Sequence, residues 1–273
     1  MADYIEYKIS VSDEAVKEML IAILSAAGAE GFEEEKSMLK TFAAITNKNQ
    51  PEFEKIIEEN GLRYSKSIIK EKNWNAEWES GFKPVTIGKF CTIRAGFHEP
   101  GTNTRHDIII TPKMSFGTGH HATTHMMVKA MEGLDFKGKI VFDFGTGTGV
   151  LSILAEKCGA EAVIAIDNDE WSINNATENF TFNNCRKVLL SKEEGLVFYK
   201  DRYDIILANI NRNIILQHLA AIKQHLSNNG VVLLSGLLTG DEPVIMAEAL
   251  RQHLRLQEKS EMSGWICLLM VNG

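Results

Sequence analysis

Lys139-Ile-Val-Phe-Asp-Phe-Gly-Thr-Gly-Thr-Gly149 is the stretch on which the fold turns. Ile140 to Phe144 predicts a buried strand. Gly145, Gly147 and Gly149 predict a turn too tight for side chains, needed where a ligand approaches the backbone or where φ is positive. From Val150 the pattern is helical, with Leu151, Leu154, Ala155 and Cys158 on the inner face and Gly159 at the end. A second strand, Glu161–Ile166, then delivers Asp167 at its carboxyl end, where a carboxylate can accept hydrogen bonds from both hydroxyls of a ribose.

Downstream of this unit the chain keeps alternating strand and helix, the pattern of a doubly wound α/β sheet. Tyr203–Ala208 and Gly230–Ser235 predict further buried strands, and Leu254–Lys259 with Trp265–Val271 a terminal hairpin. Upstream, the short strands Val85–Phe97 and Asp107–Thr111 are expected. The first seventy residues read β-α-β-β-α-β, a small α+β ferredoxin-like domain. Its first helix is expected to start at Ser12 and bury Val16, Leu20, Ile23 and Ala27, with Gly28 as its stop. Its second is expected to hold Pro51 in the first turn, Phe53, Ile56 and Ile57 inside, and Gly61 at the end. The expected division is therefore a recognition domain over residues 1–72, a linker over 73–84 with Trp74 and Trp78 one helical turn apart, and a sheet domain over 85–273.

The 273-residue chain is 44% hydrophobic and 24% charged, which excludes disorder and fibre. The uncharged stretch Asn228–Gly240 contains Asn, Ser, Thr and three Gly, and is far short of the roughly 18 apolar residues of a membrane span. A net charge of −7 argues against stable binding of nucleic acid through its phosphates. Cys91, Cys158, Cys185 and Cys267 form no C-x-x-C pair, and reduced thiols in a cytoplasmic protein are expected.

The glycine spacing narrows the nucleotide. Dinucleotide folds carry G-x-G-x-x-G, whereas this turn is G-x-G-x-G with Asp143 two residues ahead. A carboxylate there repels a pyrophosphate and suits a cation. D-x-G-x-G-x-G resembles the first motif of class I S-adenosylmethionine-dependent methyltransferases, whose cofactor carries a sulfonium, an ammonium and a ribose. That resemblance implies a seven-stranded sheet. Asn209, after the strand Tyr203–Ala208, matches the place where amine- and amide-directed members carry N-P-P-Y. Its amide oxygen can hold an acceptor amine by one N–H, and it can equally cap the helix bearing Ile215, Leu219, Ile222 and Leu226. His120, His121 and His125 lack a third strong ligand at metal-site spacing, so no metal is expected. The segment Thr111–His125 instead reads as a glycine-hinged loop that closes over the cofactor, with Phe116 and Thr124 turned into the site.

The loop makes the resemblance particular. M-S-F-G-T-G-H-H-A-T-T (114–124), D-F-G-T-G-T-G (143–149), A-I-D-N-D (165–169) and A-N-I (208–210) are similar to the ribosomal protein L11 methyltransferases, as is W-x-x-x-W-x-x-x-F-x-P from Trp74 to Pro84. This implies cofactor contacts at Thr124, Gly145, Asp167 and Asn209, and an N-terminal domain that recognises ribosomal protein L11 for methylation of its α-amine and lysines. Thr111, where the family usually has Asp, and Asn211-Arg212-Asn213 depart from the pattern. The rival readings are an RNA or small-molecule methyltransferase, a non-catalytic ribosome-assembly factor and an NAD-dependent dehydrogenase.

Overall fold

The computed structural model describes residues 4–29, 31–44, 47, 50–69, 82–101, 103–113 and 115–273. The chain divides into two compact units, Met1–Trp78 and Glu79–Gly273. Trp74, Trp78 and most of the expected linker lie outside the described residues.

In the first unit, β1 (Tyr4–Ser10), α1 (Glu14–Ala26), β2 (Gly31–Glu35), β3 (Met38–Ala44), α2 (Gln50–Glu59) and β4 (Arg63–Ile69) follow in order. The strands form an antiparallel sheet ordered β2-β3-β1-β4. Period-two alternation sorts β1, sending Ile5, Tyr7 and Ile9 into a core shared with Leu20, Leu24, Phe53 and Ile57. Two details differ from the sequence reading. Asp13, not Ser12, caps α1, accepting the Val16 N–H at 3.1 Å. The buried face is rotated by about one residue: Lys17, Leu20 and Leu24 are enclosed while Ile23 is exposed. Lys17 can be buried because its ammonium donates to the Glu35 carbonyl at 2.8 Å and to Glu14 at 3.0 Å.

The second unit opens with a small sheet, β5 (Val85–Ile87), β6 (Cys91–Arg94) and β7 (His106–Ile109). Then come α3 (Ala122–Met131), β8 (Ile140–Phe144), α4 (Val150–Lys157), β9 (Ala162–Asp167), α5 (Glu170–Phe182), β10 (Val188–Lys192), β11 (Tyr203–Asn209), α6 (Arg212–His225), β12 (Leu226–Leu238), α7 (Glu242–Arg251), β13 (Leu254–Met262) and β14 (Trp265–Asn272). The seven-stranded sheet is ordered β10-β9-β8-β11-β12-β14-β13. Its first five strands are parallel, and β14 runs antiparallel to both neighbours.

Both faces of this sheet are covered, which is why its central strands read as unbroken apolar runs. Val141, Val163, Ala165, Ile205, Leu207 and Leu233 face one core with Met127, Leu151 and Phe180 of α3, α4 and α5. Phe142, Ile164, Ile206, Val232 and Leu234 face the other with Ile215, Leu219 and Ile245 of α6 and α7. The same alternation fixes the site. Asp143 pairs in register with Leu207, and Asn209 lies two residues beyond Leu207, so both polar side chains turn toward the α3–α4 face.

Candidate functional site

All three loop glycines have positive φ: +74° at Gly145, +55° at Gly147 and +79° at Gly149. What stands where a Cβ would go is the protein itself. A Cβ would come within 2.4 Å of Ile210 Cγ2 at Gly145, 2.3 Å of the Phe116 carbonyl at Gly147 and 2.5 Å of the Phe180 ring at Gly149. These glycines let the turn be packed from three sides, beyond any approach by a ligand. Gly145 and Thr146 donate their N–H groups to the Ile166 carbonyl at 2.9 and 3.0 Å, tying the turn to β9.

Asp143 lies beneath the turn, 1% exposed. Its Oδ2 accepts from Thr146 Oγ1 at 2.7 Å and Ser152 Oγ at 2.6 Å, while Oδ1 is buried without a partner. Burial drives its carboxyl up to about 6, and the donated hydroxyls only partly offset that rise. Asp143 therefore braces the turn and does not stand open beside it. Thr146 and Ser152 were not anticipated from the sequence; their hydroxyls sit three and nine residues from a buried acid, spacings that only the turn brings together.

Asp167 ends β9 with both oxygens oriented: Oδ2 accepts the Gly147 N–H at 2.8 Å and Oδ1 the Asp169 N–H at 3.0 Å. Each oxygen keeps a lone pair for a hydroxyl. With Gly145, Asn168, Glu193, Ile210 and His218, Asp167 lines a cavity of about 430 Å³ at the carboxyl ends of the parallel strands. Burial lowers the His218 pKa. The Glu193 carboxylate, held below the ordinary range by hydroxyl donation from Ser191 and Tyr199, lies on the same wall. Neither residue was singled out from the sequence: Glu193 follows a strand with no motif around it, and His218 lies within α6 and reaches this wall only through helix packing.

Asn209 ends β11. It does not cap α6: Asn211 does, accepting the Ile214 N–H at 3.2 Å. Asn209 Nδ2 instead donates to Thr124 Oγ1 at 3.3 Å, and its Oδ1 is buried without a partner. Thr124 is fully buried in the first turn of α3, whose N-cap is His121. Phe116 is half exposed, edge-on to His121 at 5.0 Å, and its carbonyl accepts the Thr148 N–H at 2.9 Å. Phe116 does not line the cavity, since its ring packs on His121 and only its carbonyl meets the turn, and the other expected residues fall into three groups. Gly145 and Asp167 line the cavity, Asn209 and Thr124 contact each other, and Asp143, Gly147 and Gly149 lie under or within the turn that joins them. His120 packs edge-on against Phe82 at 4.7 Å, which with the capping role of His121 accounts for two of the three histidines by packing and helix geometry.

A ligand suited to this end of the sheet carries positive charge and a ribose and no phosphate. On the cavity wall Asp167 keeps acceptor lone pairs for a diol and, with Glu193, makes the wall acidic, while the unpartnered oxygens of Asp143 and Asn209 are buried behind it. S-adenosylmethionine has that chemistry, and the second unit is a class I S-adenosylmethionine-dependent methyltransferase.

Residues 31–272 match the family model described as ribosomal protein L11 methyltransferase (PrmA), and the chain belongs to that family. A protein of that name from Porphyromonas gingivalis is 36% identical over 262 residues, covering 93% of this chain and 90% of its own length. Another from Chlorobaculum parvum is 41% identical over 246 residues, covering 85% of this chain and 84% of its own length. Among solved structures, a ribosomal protein L11 methylase from Lactobacillus delbrueckii subsp. bulgaricus is 28% identical with a TM-score of 0.64, over 69% of this chain and 98% of that one.

Proposed function

We propose that this protein transfers methyl groups to amines of ribosomal protein L11, its N-terminal α-amine and lysine ε-amines among them, in the cytoplasm. The relatives' names support the acceptor. The observation that carries the chemistry is the buried, unpartnered Oδ1 of Asn209. Bound S-adenosylmethionine supplies an electrophilic methyl carbon on a sulfonium. Asn209 Oδ1 accepts one N–H of a neutral acceptor amine and so aims its lone pair. Thr124 Oγ1 takes the amide's own N–H and fixes which end of Asn209 meets the amine. Asp167 holds the ribose, and the glycine turn closed by Phe116 keeps water from the transfer. The acceptor must be neutral, so an α-amine at ~7.7–8.0 reacts at lower pH than a lysine at ~10.4.

The N-terminal unit is read as a ferredoxin-like recognition domain over residues 1–72, joined by a linker over 73–84 to the catalytic domain over 85–273. Its strand order β2-β3-β1-β4 with two helices supports the fold, and its run Glu33-Glu34-Glu35 supports a basic partner over RNA. No helix among the described residues is long and apolar enough to cross a membrane. The experiment is transfer of labelled methyl from S-adenosylmethionine to purified ribosomal protein L11 and to total RNA in parallel. Label on amines of the protein is the expected result. Label in RNA alone overturns the acceptor and leaves the fold and cofactor standing.

A further inference from the structure

Helix α5 carries three asparagines at helical spacing, Asn175 and Asn179 within it and Asn183 just after it, and none belongs to the site described above. They are nearly or fully buried, and they bond the backbone of Ile109 at the end of β7 and of Thr111 just beyond it. Asn183 accepts the Ile109 N–H at 3.0 Å and donates to the Ile109 carbonyl at 2.6 Å and the Asn179 carbonyl at 2.8 Å. Asn179 accepts the Thr111 N–H at 2.7 Å, and Asn175 donates to the Thr111 carbonyl at 3.1 Å. Side-chain amides here take the place of a neighbouring strand.

Asn179 does one thing more. Its Nδ2 donates to the carbonyl of Thr148, in the glycine turn, at 2.8 Å. Thr148 in turn donates its N–H to the Phe116 carbonyl at 2.9 Å and its hydroxyl to the Gly117 carbonyl at 2.8 Å. The loop from Thr111 to Gly117 is therefore tied at both ends to one continuous chain of bonds, Thr111–Asn179–Thr148–Phe116/Gly117. A Cβ at Gly117 would lie 2.7 Å from Thr148 Oγ1, so the closure is tight. The three glycines of the turn adopt positive φ and lose much freedom on ordering, a cost that bonds from outside the turn help to offset.

We propose that Asn179 is a positioning residue for cofactor binding: with Thr148 it clasps the covering loop onto the glycine turn, so that both are set in the shape that receives the adenosyl group before it arrives. Asn183 bonds Ile109, the last residue of β7, and reaches neither the loop nor the turn, and so is the internal control. The inference rests on the cofactor and not on the acceptor. Its test, accordingly, is calorimetric binding of S-adenosylmethionine with no acceptor present.

Asn179→Ala should weaken that binding about fivefold or more, the effect expected from losing one or two net hydrogen bonds. Asn183→Ala removes three hydrogen bonds and should lower the melting temperature comparably, while affinity stays within about twofold. Equal affinity losses in both variants, or unchanged affinity in Asn179→Ala, overturn the clasp and leave the asparagines as packing. Should Asn179→Ala not fold, Thr148→Val removes the Gly117 strut with nearly constant volume. It should weaken binding by about threefold or more, and unchanged affinity there overturns the proposal as well.

Discussion

β8 and β11 are parallel neighbours, and each carries, at its last residue or the one before it, a polar side chain with one buried oxygen that has no partner: Asp143 Oδ1 and Asn209 Oδ1. The resemblance stops at charge. Asp143 is ionisable, and enclosure pushes its carboxyl up to about 6 although two hydroxyls donate to its other oxygen. Asn209 is neutral at any pH and is oriented through Thr124. One strand end therefore stores an electrostatic cost that a cationic ligand relieves, and the other stores an unmet hydrogen bond that an N–H relieves. On the proposed reading the first serves binding of the cofactor and the second positions the acceptor amine.

The sharpest way to break this division is Asn209→Ala. Without the acceptor oxygen the amine loses its aim, and kcat should fall by about a hundredfold or more, as misplacement of a reacting group does. The dissociation constant of S-adenosylmethionine should change much less. Steady-state kinetics beside calorimetry decide it: equal losses in kcat and affinity would place Asn209 with the binding end. Asp167→Ala is the converse case. It removes the ribose acceptor and the anchor of the Gly147 N–H together, and should raise the cofactor dissociation constant about 10–100-fold, while kcat at saturating cofactor stays near its original value.

Asp143→Asn sharpens the contrast through pH. The folded-state pKa of about 6 lies above the ordinary carboxylate value of 3.8, so folding takes up a proton in that window and the ionised acid costs stability above it. The cost is absent below about pH 4 and complete above about pH 7. Unliganded Asp143→Asn should then be more stable than the parent at pH 8 by roughly 1–3 kcal/mol, with the two converging toward pH 4. Its cofactor affinity at pH 8 should fall about tenfold, because the neutral amide no longer attracts the cation. Thermal melts across pH with and without S-adenosylmethionine read both effects, and a stabilised variant that binds as well as the parent would show that the acid has no part in binding.

Much of the sheet unit was legible in the sequence because strands covered on both faces stay apolar throughout, as Ile140–Phe144 and Tyr203–Ala208 do. β12 shows where that legibility ends. Ser227-Asn228-Asn229-Gly230 reads as a turn, yet the strand runs from Leu226, and the stretch is taken up by a register shift between the Tyr203–Leu226 and Ile205–Val231 pairs. Capping was misplaced at Ser12 and considered at Asn209 because each has an equally competent neighbour, Asp13 and Asn211, and only backbone geometry chooses between adjacent oxygens. Asp167 and Asn209 could be picked out because a strand end fixes their place. Thr146, Ser152 and Asn179 could not, since their partners are set by the turn and by loop packing. The asparagine spacing at 175, 179 and 183 was the one available signal, a polar stripe on a helix otherwise expected to face the sheet.

The smallest predicted effect probes the link between the two residues that make up the reacting end. Thr124→Val keeps the β-branched shape in a fully buried helical position and removes only the hydroxyl that accepts the Asn209 N–H. The Asn209 amide is then free to rotate, and in the turned orientation it presents N–H groups to an acceptor amine that needs an oxygen. One neutral hydrogen bond is at stake, so kcat should fall about 3–10-fold, with cofactor affinity unchanged, and Asn209→Ala should erase the effect. Additive losses in the double variant would mean that Thr124 acts independently of Asn209, and the Thr124 hydroxyl would then not be what orients the amide.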